Sequence, residues 1–318
     1  MKNLILLEYF TSQSFFNPEK DKEILNEALN ISDSIIKNFI KNNNVKKIYV
    51  IRNDKLKIIK SKKVETFHTN FRTTYLNVLE KIKNTNEILL IAPETNKISL
   101  KLYSSIPKRF KILCSDTVSL KIFSSKKKTL KILKESNIPA TKITISDSNQ
   151  KIVIKPNFGA GSDRVIIKKG RFTLQNKDSL TQKLYTGKKG SFLMLCKNGK
   201  SKVICCNEQL IKISSNRIQQ IGCIMGGLEN HRSEIELLGK KLCESFKGLY
   251  GVIGVDIVKE KERWLILEVN SRFTSSYCGL SKSYGNSIIN EITDFYFNEE
   301  LKISIPKIIN KYNYYFNE

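Results

Sequence analysis

The sequence predicts an α/β chain: a Rossmann-like parallel sheet in its first third, then antiparallel sheet structure. Two observations carry this. Over residues 1–115, short apolar strands alternate with amphipathic helical segments, the pattern of a parallel sheet with crossover helices. From residue 151 onward, short strands follow one another with turn signals between them. At 318 residues, 40% hydrophobic and 27% charged, the chain is long enough for two packed units and a sizeable core.

The first strand is Leu4–Phe10. Residues 20–43 carry Ile24, Leu25, Ala28, Ile31, Ile35 and Phe39 near helical period and predict an amphipathic helix. Strands follow at 46–53, ended by Asn53-Asp54, at 87–94, ended by Pro93, and at 108–116, with a helix at 71–83. No G-x-G-x-x-G follows the first strand, where the chain reads Thr11-Ser12-Gln13-Ser14, so a dinucleotide fingerprint is absent. Residues 116–137 predict a lysine-rich helix and Ile138–Thr141 a linker around Pro139. Strands at 151–157, 164–170, 191–200 and 201–210 come next, the last two joined at Asn198-Gly199, a strong two-residue hairpin signal. Residues 233–247 predict a helix opened by a Ser233/Glu236 capping box and closed by Gly248. Strands at 252–260 and 263–270 complete the pattern, and 286–318 is read as a C-terminal helical segment.

Composition narrows the function. The net charge of +25 comes from 55 Lys and Arg against 30 acids, spread along the whole chain. No nucleic-acid reader module is visible, so no nucleic-acid partner is expected, and the positive potential favours small polyanions such as nucleotide phosphates. No stretch approaches about 18 uninterrupted apolar residues, so no membrane partner is expected. The N-terminal apolar run is broken by Glu8 and lacks a small-residue cleavage site, which makes the cytoplasm the expected compartment. Seven cysteines without a C-x-x-C read as buried reduced thiols. His68 and His231 are the only histidines, too few for a His-based zinc site or a Ser-His-Asp triad.

Four features carry chemistry. In Lys155-Pro156-Asn157-Phe158-Gly159-Ala160-Gly161-Ser162 a lysine ends an apolar strand and a glycine-rich turn follows. Backbone N–H groups in such a turn can approach an anion, although an ordinary hairpin turn with a surface lysine fits equally well. Asp256 interrupts one apolar strand, and Glu268 and Asn270 share a face of the next. A hairpin centred near Lys261 brings the three together, and hard oxygen donors in apolar strands suit Mg²⁺. Arg272, two residues beyond Asn270, sits where it could meet an anion held there, or be a plain surface arginine. Lys126, in Ser124-Ser125-Lys126-Lys127-Lys128, reads alone as part of a solvated charge run.

In order along the chain, these features resemble the ATP-grasp superfamily over residues 116–285. The segment Glu268-Val269-Asn270-Ser271-Arg272-Phe273-Thr274-Ser275-Ser276-Tyr277-Cys278-Gly279-Leu280 is similar to the E-x-N-P-R-x-T-T-S-Y-x-G-L of the tyramine–glutamate ligase group. Ala92-Pro93-Glu94-Thr95 and Asn207-Glu208-Gln209 match that group as well. The resemblance implies an ATP-grasp fold in three parts: a pre-ATP-grasp domain at 1–115, an ATP-grasp domain at 116–285 with a lid subdomain near 140–185 and a larger subdomain near 186–285, then 286–318.

The resemblance also implies residue roles. Lys126 and Lys155 would meet the nucleotide phosphates, and Gly159, Ala160, Gly161 and Ser162 would close over them. Gln182, Lys183 and Leu184 would form the adenine hinge. Asp256, Glu268 and Asn270 would hold two Mg²⁺ ions, with Mn²⁺ able to substitute. Arg272, together with Lys155, would act on the transferred phosphoryl group. The chain departs from the family pattern at Ser125 (usually Asp), at Ser271 (usually Pro), at Thr11–Phe16 (usually glycine-rich) and at Lys183 (often Glu). The implied activity is ATP-dependent joining of a small carboxylate to an amine through an acyl phosphate, with glutamate and tyramine as one such pair. The open alternatives are a carboxylase or carbamoyl-phosphate-type reaction, and a non-catalytic basic nucleotide- or nucleic-acid-binding protein. A homo-oligomer is compatible with all of them.

Overall fold

The structure, a computed structural model, describes residues 1–17, 21–144, 150–159, 165–169, 178–214, 216–301, 304 and 307–316. Five strands form the first sheet: β1 (Lys2–Glu8), β2 (Val45–Asn53), β3 (Val64–Thr69), β4 (Glu87–Ile91) and β5 (Lys111–Leu113). Their order is β3-β2-β1-β4-β5, and every neighbouring pair is parallel, as the alternation of strand and helix predicts. The runs Leu4–Leu7 and Ile88–Ile91 are buried throughout, which is what a parallel sheet covered on both faces requires. Helix α1 (Lys22–Phe39) covers one face through Ile31, Ile35 and Phe39. Helices α2 (Tyr75–Lys81) and α3 (Ile98–Ser105) cover the other through Val78, Leu79 and Leu102. Sequence reasoning missed β3, whose Val-Glu-Thr-Phe-His-Thr lies at the sheet edge and is too polar to stand out.

The single helix expected over 116–137 is two: α4 (Thr117–Phe123) and α5 (Lys126–Glu135). The break has a local cause. Ser125 leaves the helical region at φ −124°, ψ 111°, and its hydroxyl accepts the Lys128 N–H at 3.3 Å, an N-cap that starts a new helix. The expected linker Ile138–Thr141 runs beside the penultimate strand: Ile266 N–H donates to Pro139 O and Thr141 N–H to Ile266 O, each at 2.9 Å.

The second sheet contains β6 (Lys151–Pro156), β7 (Ile166–Lys169), β8 (Ser179–Lys183), β9 (Lys189–Lys197), β10 (Lys200–Ser214), β11 (Arg217–Met225), β12 (Gly251–Glu260), β13 (Arg263–Asn270) and β14 (Tyr312–Tyr315). The order is β13-β12-β9-β10-β11-β7-β6-β8, with β14 paired to β11, and the pairings are antiparallel. Asn198 and Gly199 both take positive φ, 51° and 76°, as a two-residue turn with primed geometry demands. Helix α6 (Arg232–Ser245) opens at His231 with no side-chain cap. The capping box expected at Ser233 does not form, because the helix already begins at Arg232 and Ser233 lies inside its first turn; the Glu236 carboxylate accepts from the Arg232 guanidinium at 3.2 Å.

The segment 286–318 is not simply helical. Helix α7 runs from Leu280 to Asn298, and the chain returns as β14. Ile289, Ile292, Phe295 and Tyr296 of α7 share one core with Leu4 and Phe39 of the first layer and Leu193 and Val252 of the second. Each such side chain contributes about 1.5–3 kcal/mol by burial, so α7 welds the two sheets together. Asn42 Nδ2 donates to Asp294 Oδ1 at 3.0 Å and Lys2 Nζ to Phe297 O at 2.6 Å across the same junction. The seven cysteines are free thiols, five of them buried, and burial pushes Cys114 and Cys205 up to about 12. His68 is exposed, and His231 packs edge-on against Trp264.

Candidate active site

The site is built on the β12–β13 hairpin. Lys261 turns the chain at φ 52°, and Glu260 pairs with Arg263. The ladder is regular to Ile257–Ile266 and then slips by one residue, so Asp256 pairs with Glu268 and Gly254 with Asn270. Leu267 is the extra residue, a β-bulge. Val255, Ile257, Ile266 and Val269 all go to the core, although Ile266 and Val269 are three residues apart. The bulge resolves that mismatch and turns Glu268 and Asn270 to the face of Asp256.

Two lysines bear on these carboxylates, Lys126 in an ion pair and Lys155 through its charge. Lys126 is the first residue of α5, and Lys155 lies in β6. Asn157, just past β6, holds the two elements together. Its carbonyl accepts Lys126 N–H at 3.0 Å, and its side-chain oxygen accepts the Ser125 hydroxyl at 3.0 Å and the Lys127 N–H at 2.9 Å. The Lys126 ammonium ion-pairs with Glu268 and donates to Gly159 O at 2.6 Å. Burial lowers Lys155 to about 8 against the opposing pull of Glu268 and Asp256, while Lys126 and Lys189 push it the same way as burial. Lys189, also lowered to about 8 by burial, donates to Tyr185 O. Sequence reasoning missed Lys189, which sits in a run of like charges.

Asp256 is raised to about 7, first by burial and next by Glu268, with Lys126 and Lys155 opposing. Its Oδ1 accepts from Gln209 Nε2 at 2.8 Å and its Oδ2 from Asn270 Nδ2 at 3.4 Å. Gln209 lay inside a segment singled out in the sequence, but its role did not. Among the described residues no three His, Cys, Asp or Glu side chains converge. The candidate metal set is therefore two carboxylates and one amide. Two carboxylates face to face among buried groups need cations, so this donor set fits Mg²⁺ bound together with phosphate oxygens.

The other expected residues divide into three groups. Arg272 joins the site from the end of β13. Burial alone would lower it, but the carboxylates Glu94 and Glu27 prevail and raise it. Its Nε donates to Glu94 Oε2 at 3.1 Å. Gln182 and Lys183 end β8 and Leu184 follows it: Gln182 Nε2 donates to Thr141 Oγ1 at 2.7 Å, Lys183 pairs with Glu260, and Leu184 N–H donates to Lys151 O at 3.0 Å. Gly187 follows, so close to β12 that a Cβ there would stand 1.7 Å from Lys259 O. Ala160, Gly161 and Ser162 lie outside the described residues.

A parallel sheet joined through α7 to an antiparallel one, with lysines and carboxylates converging on the second, is an ATP-grasp fold. Residues 123–276 match the family model described as an ATP-grasp domain. The chain resembles the tyramine–L-glutamate ligase of Methanocaldococcus jannaschii, at 24% identity over 95% of this chain and 92% of that protein. In fold it is similar to a putative ATP-grasp superfamily protein from Archaeoglobus fulgidus, with a TM-score of 0.71, 20% identity, and coverage of 92% of this chain and 88% of that one. It is also similar to an L-amino acid ligase from Bacillus licheniformis, with a TM-score of 0.62, 12% identity, and coverage of 93% and 74%.

Proposed function

We infer that the protein is an ATP-dependent carboxylate–amine ligase. The observation that carries this is the meeting of Lys126, Lys155, Asp256, Glu268 and Asn270 in one cluster, from four separate elements. Lys126 and Lys155 hold nucleotide phosphate, while Asp256, Glu268 and Asn270 hold Mg²⁺. The metal, when bound, neutralises phosphate charge and polarises the transferred group. The carboxylate substrate attacks the terminal phosphorus and ADP leaves. The amine nitrogen then attacks the acyl carbon, inorganic phosphate leaves, and the amine gives up a proton. Arg272 faces the negative charge carried through both steps. Catalysis is positioning and charge neutralisation, with no protein nucleophile.

For the substrates, glutamate and an aromatic amine of the tyramine type are the proposed pair. The resemblance to the tyramine–L-glutamate ligase over nearly the whole chain supports this. So do Tyr9 and Phe10, packed edge to face at 5.1 Å directly after Glu8, whose carboxylate feels the charge of Arg272. The test is phosphate release from ATP with a panel of acids and amines, the product identified by mass. Release that needs bicarbonate instead of an amine would make the protein a carboxylase-type enzyme.

A further inference from the structure

The geometry points to Glu94 as a positioning residue, a buried carboxylate of the first sheet layer that sets the orientation of the Arg272 guanidinium. The inference rests on the role given to Arg272 above. Glu94 follows β4 and is 5% exposed. It accepts three donors from the end of β13. Ser271 N–H reaches Oε1 at 2.8 Å, the Ser271 hydroxyl reaches the same oxygen at 3.3 Å, and Arg272 Nε reaches Oε2 at 3.1 Å. One carboxylate thus fixes the backbone of one residue and the side chain of the next. Arg272 Nη1 donates to Phe273 O at 3.0 Å, so two edges of the planar guanidinium are set and its plane is determined.

Glu94 is itself held in place. Asn96 and Lys97, at φ 51° and 59°, are consecutive non-glycine residues in the left-handed region, a conformation that persists only where the surroundings enforce it. Lys97 N–H returns to Glu94 O at 3.1 Å and Ser99 N–H to Pro93 O at 3.0 Å. The Lys97 ammonium lies 6.0 Å over the ring of Phe158, beside Gly159, whose carbonyl Lys126 holds. The strained turn therefore touches the phosphate side of the site as well as the arginine. Ser271 falls into place too. Its segment resembles a motif with proline at this position, and proline has no N–H to give Glu94.

The experiment compares Glu94→Gln, Ser271→Pro, their double variant and Arg272→Lys. The Nε–H signal of Arg272 in a ¹⁵N spectrum, identified by its loss in Arg272→Lys, should shift or broaden in Glu94→Gln. That reading needs no substrate. In turnover, Glu94→Gln should lower kcat at least tenfold, with the KM for ATP within twofold of wild type. Ser271→Pro, which reports independently should Glu94→Gln fail to fold, should lower kcat severalfold. Added to Glu94→Gln it should cost less than its own single loss, because both substitutions loosen the hold of the same carboxylate on the Ser271-Arg272 segment. An unchanged Nε–H signal in Glu94→Gln overturns the inference whatever happens to kcat, and so does a kcat within twofold of wild type. Wild-type turnover in Arg272→Lys is a different failure, that of the role assigned to Arg272.

Discussion

Asp256 and Glu268 stand directly opposite each other across the β12–β13 hairpin because Leu267 bulges out of the ladder between them. An unbulged hairpin with the same turn would pair Asp256 with Leu267 and send Glu268 to the core face. The acid pair of the candidate metal site thus depends on one irregularity in backbone register.

Glu268→Gln is expected to lower Mg²⁺-dependent turnover at least 100-fold. It removes half the carboxylate charge offered to the metal and leaves the Lys126 ammonium, 7% exposed, without its ionic partner. Far-ultraviolet circular dichroism should be unchanged, because Glu268 is not part of the core. Activity within a few-fold of wild type would sink the metal assignment.

Asp256→Asn is expected to inactivate the enzyme while stabilising the metal-free protein. Asp256 is raised to about 7 in the fold, so the folded state binds its proton more tightly than the unfolded chain does. The stability this gives is present in full below the unfolded value near 4 and is lost as pH rises through about 7. Above that, the charged carboxylate costs about 4 kcal/mol, and asparagine avoids the cost. Urea unfolding at pH 4 and pH 8 reads this directly. The variant should match wild type at the lower pH and exceed it at the higher. A variant weaker than wild type at pH 8 contradicts the account.

Lys155→Ala should raise the KM for ATP and lower kcat together, leaving the KM for the amine unchanged. Burial lowers Lys155 to about 8, so its charge is lost as pH rises through that value. Affinity for a non-hydrolysable ATP analogue should then fall above pH 8 in wild type and lose that dependence in the variant. A change confined to the amine KM would move Lys155 out of the nucleotide site.

Gly187→Ala tests the close approach of the segment after β8 to β12. The added Cβ would overlap Lys259 O, so the Gly187 segment or β12 must shift, at a cost of about 1–3 kcal/mol. The thermal midpoint should drop and the KM for ATP should rise. A midpoint equal to wild type would mean that this segment does not press on β12.

Strand and helix alternation made the parallel sheet legible, and Asn198-Gly199 made its hairpin legible, because both are local signals. Leu267 was not legible as a bulge. A hairpin centred near Lys261 suggested that Asp256 and Glu268 meet, but nothing in Leu-Ile-Leu-Glu says which residue is extruded. Lys155 was legible as a lysine before a glycine-rich turn, although a plain hairpin fitted equally well, whereas Lys126 was recognisable only through the family resemblance, since alone it is one charge in a run of three. Lys189, Gln209 and the Asn157 clasp act through long-range contacts that no sequence period encodes. The break at Ser124-Ser125 had a signal, a serine pair inside a helical pattern, with a known preference for helix starts. Glu94 was noted only as part of a matching segment. Its work depends on β4 ending beside β13, a fact of the assembled fold.

A cluster of lysines and carboxylates that couples ATP cleavage to amide formation must produce ADP and amide together. The most direct measurement incubates the protein with ATP, Mg²⁺, glutamate and tyramine, and quantifies ADP, phosphate and amide together by mass spectrometry. One amide is expected for each ADP, with no ADP in the absence of the acid and loss of both products in Glu268→Gln. Cleavage of ATP at the same rate with or without acid and amine, and no amide formed, would contradict this coupling.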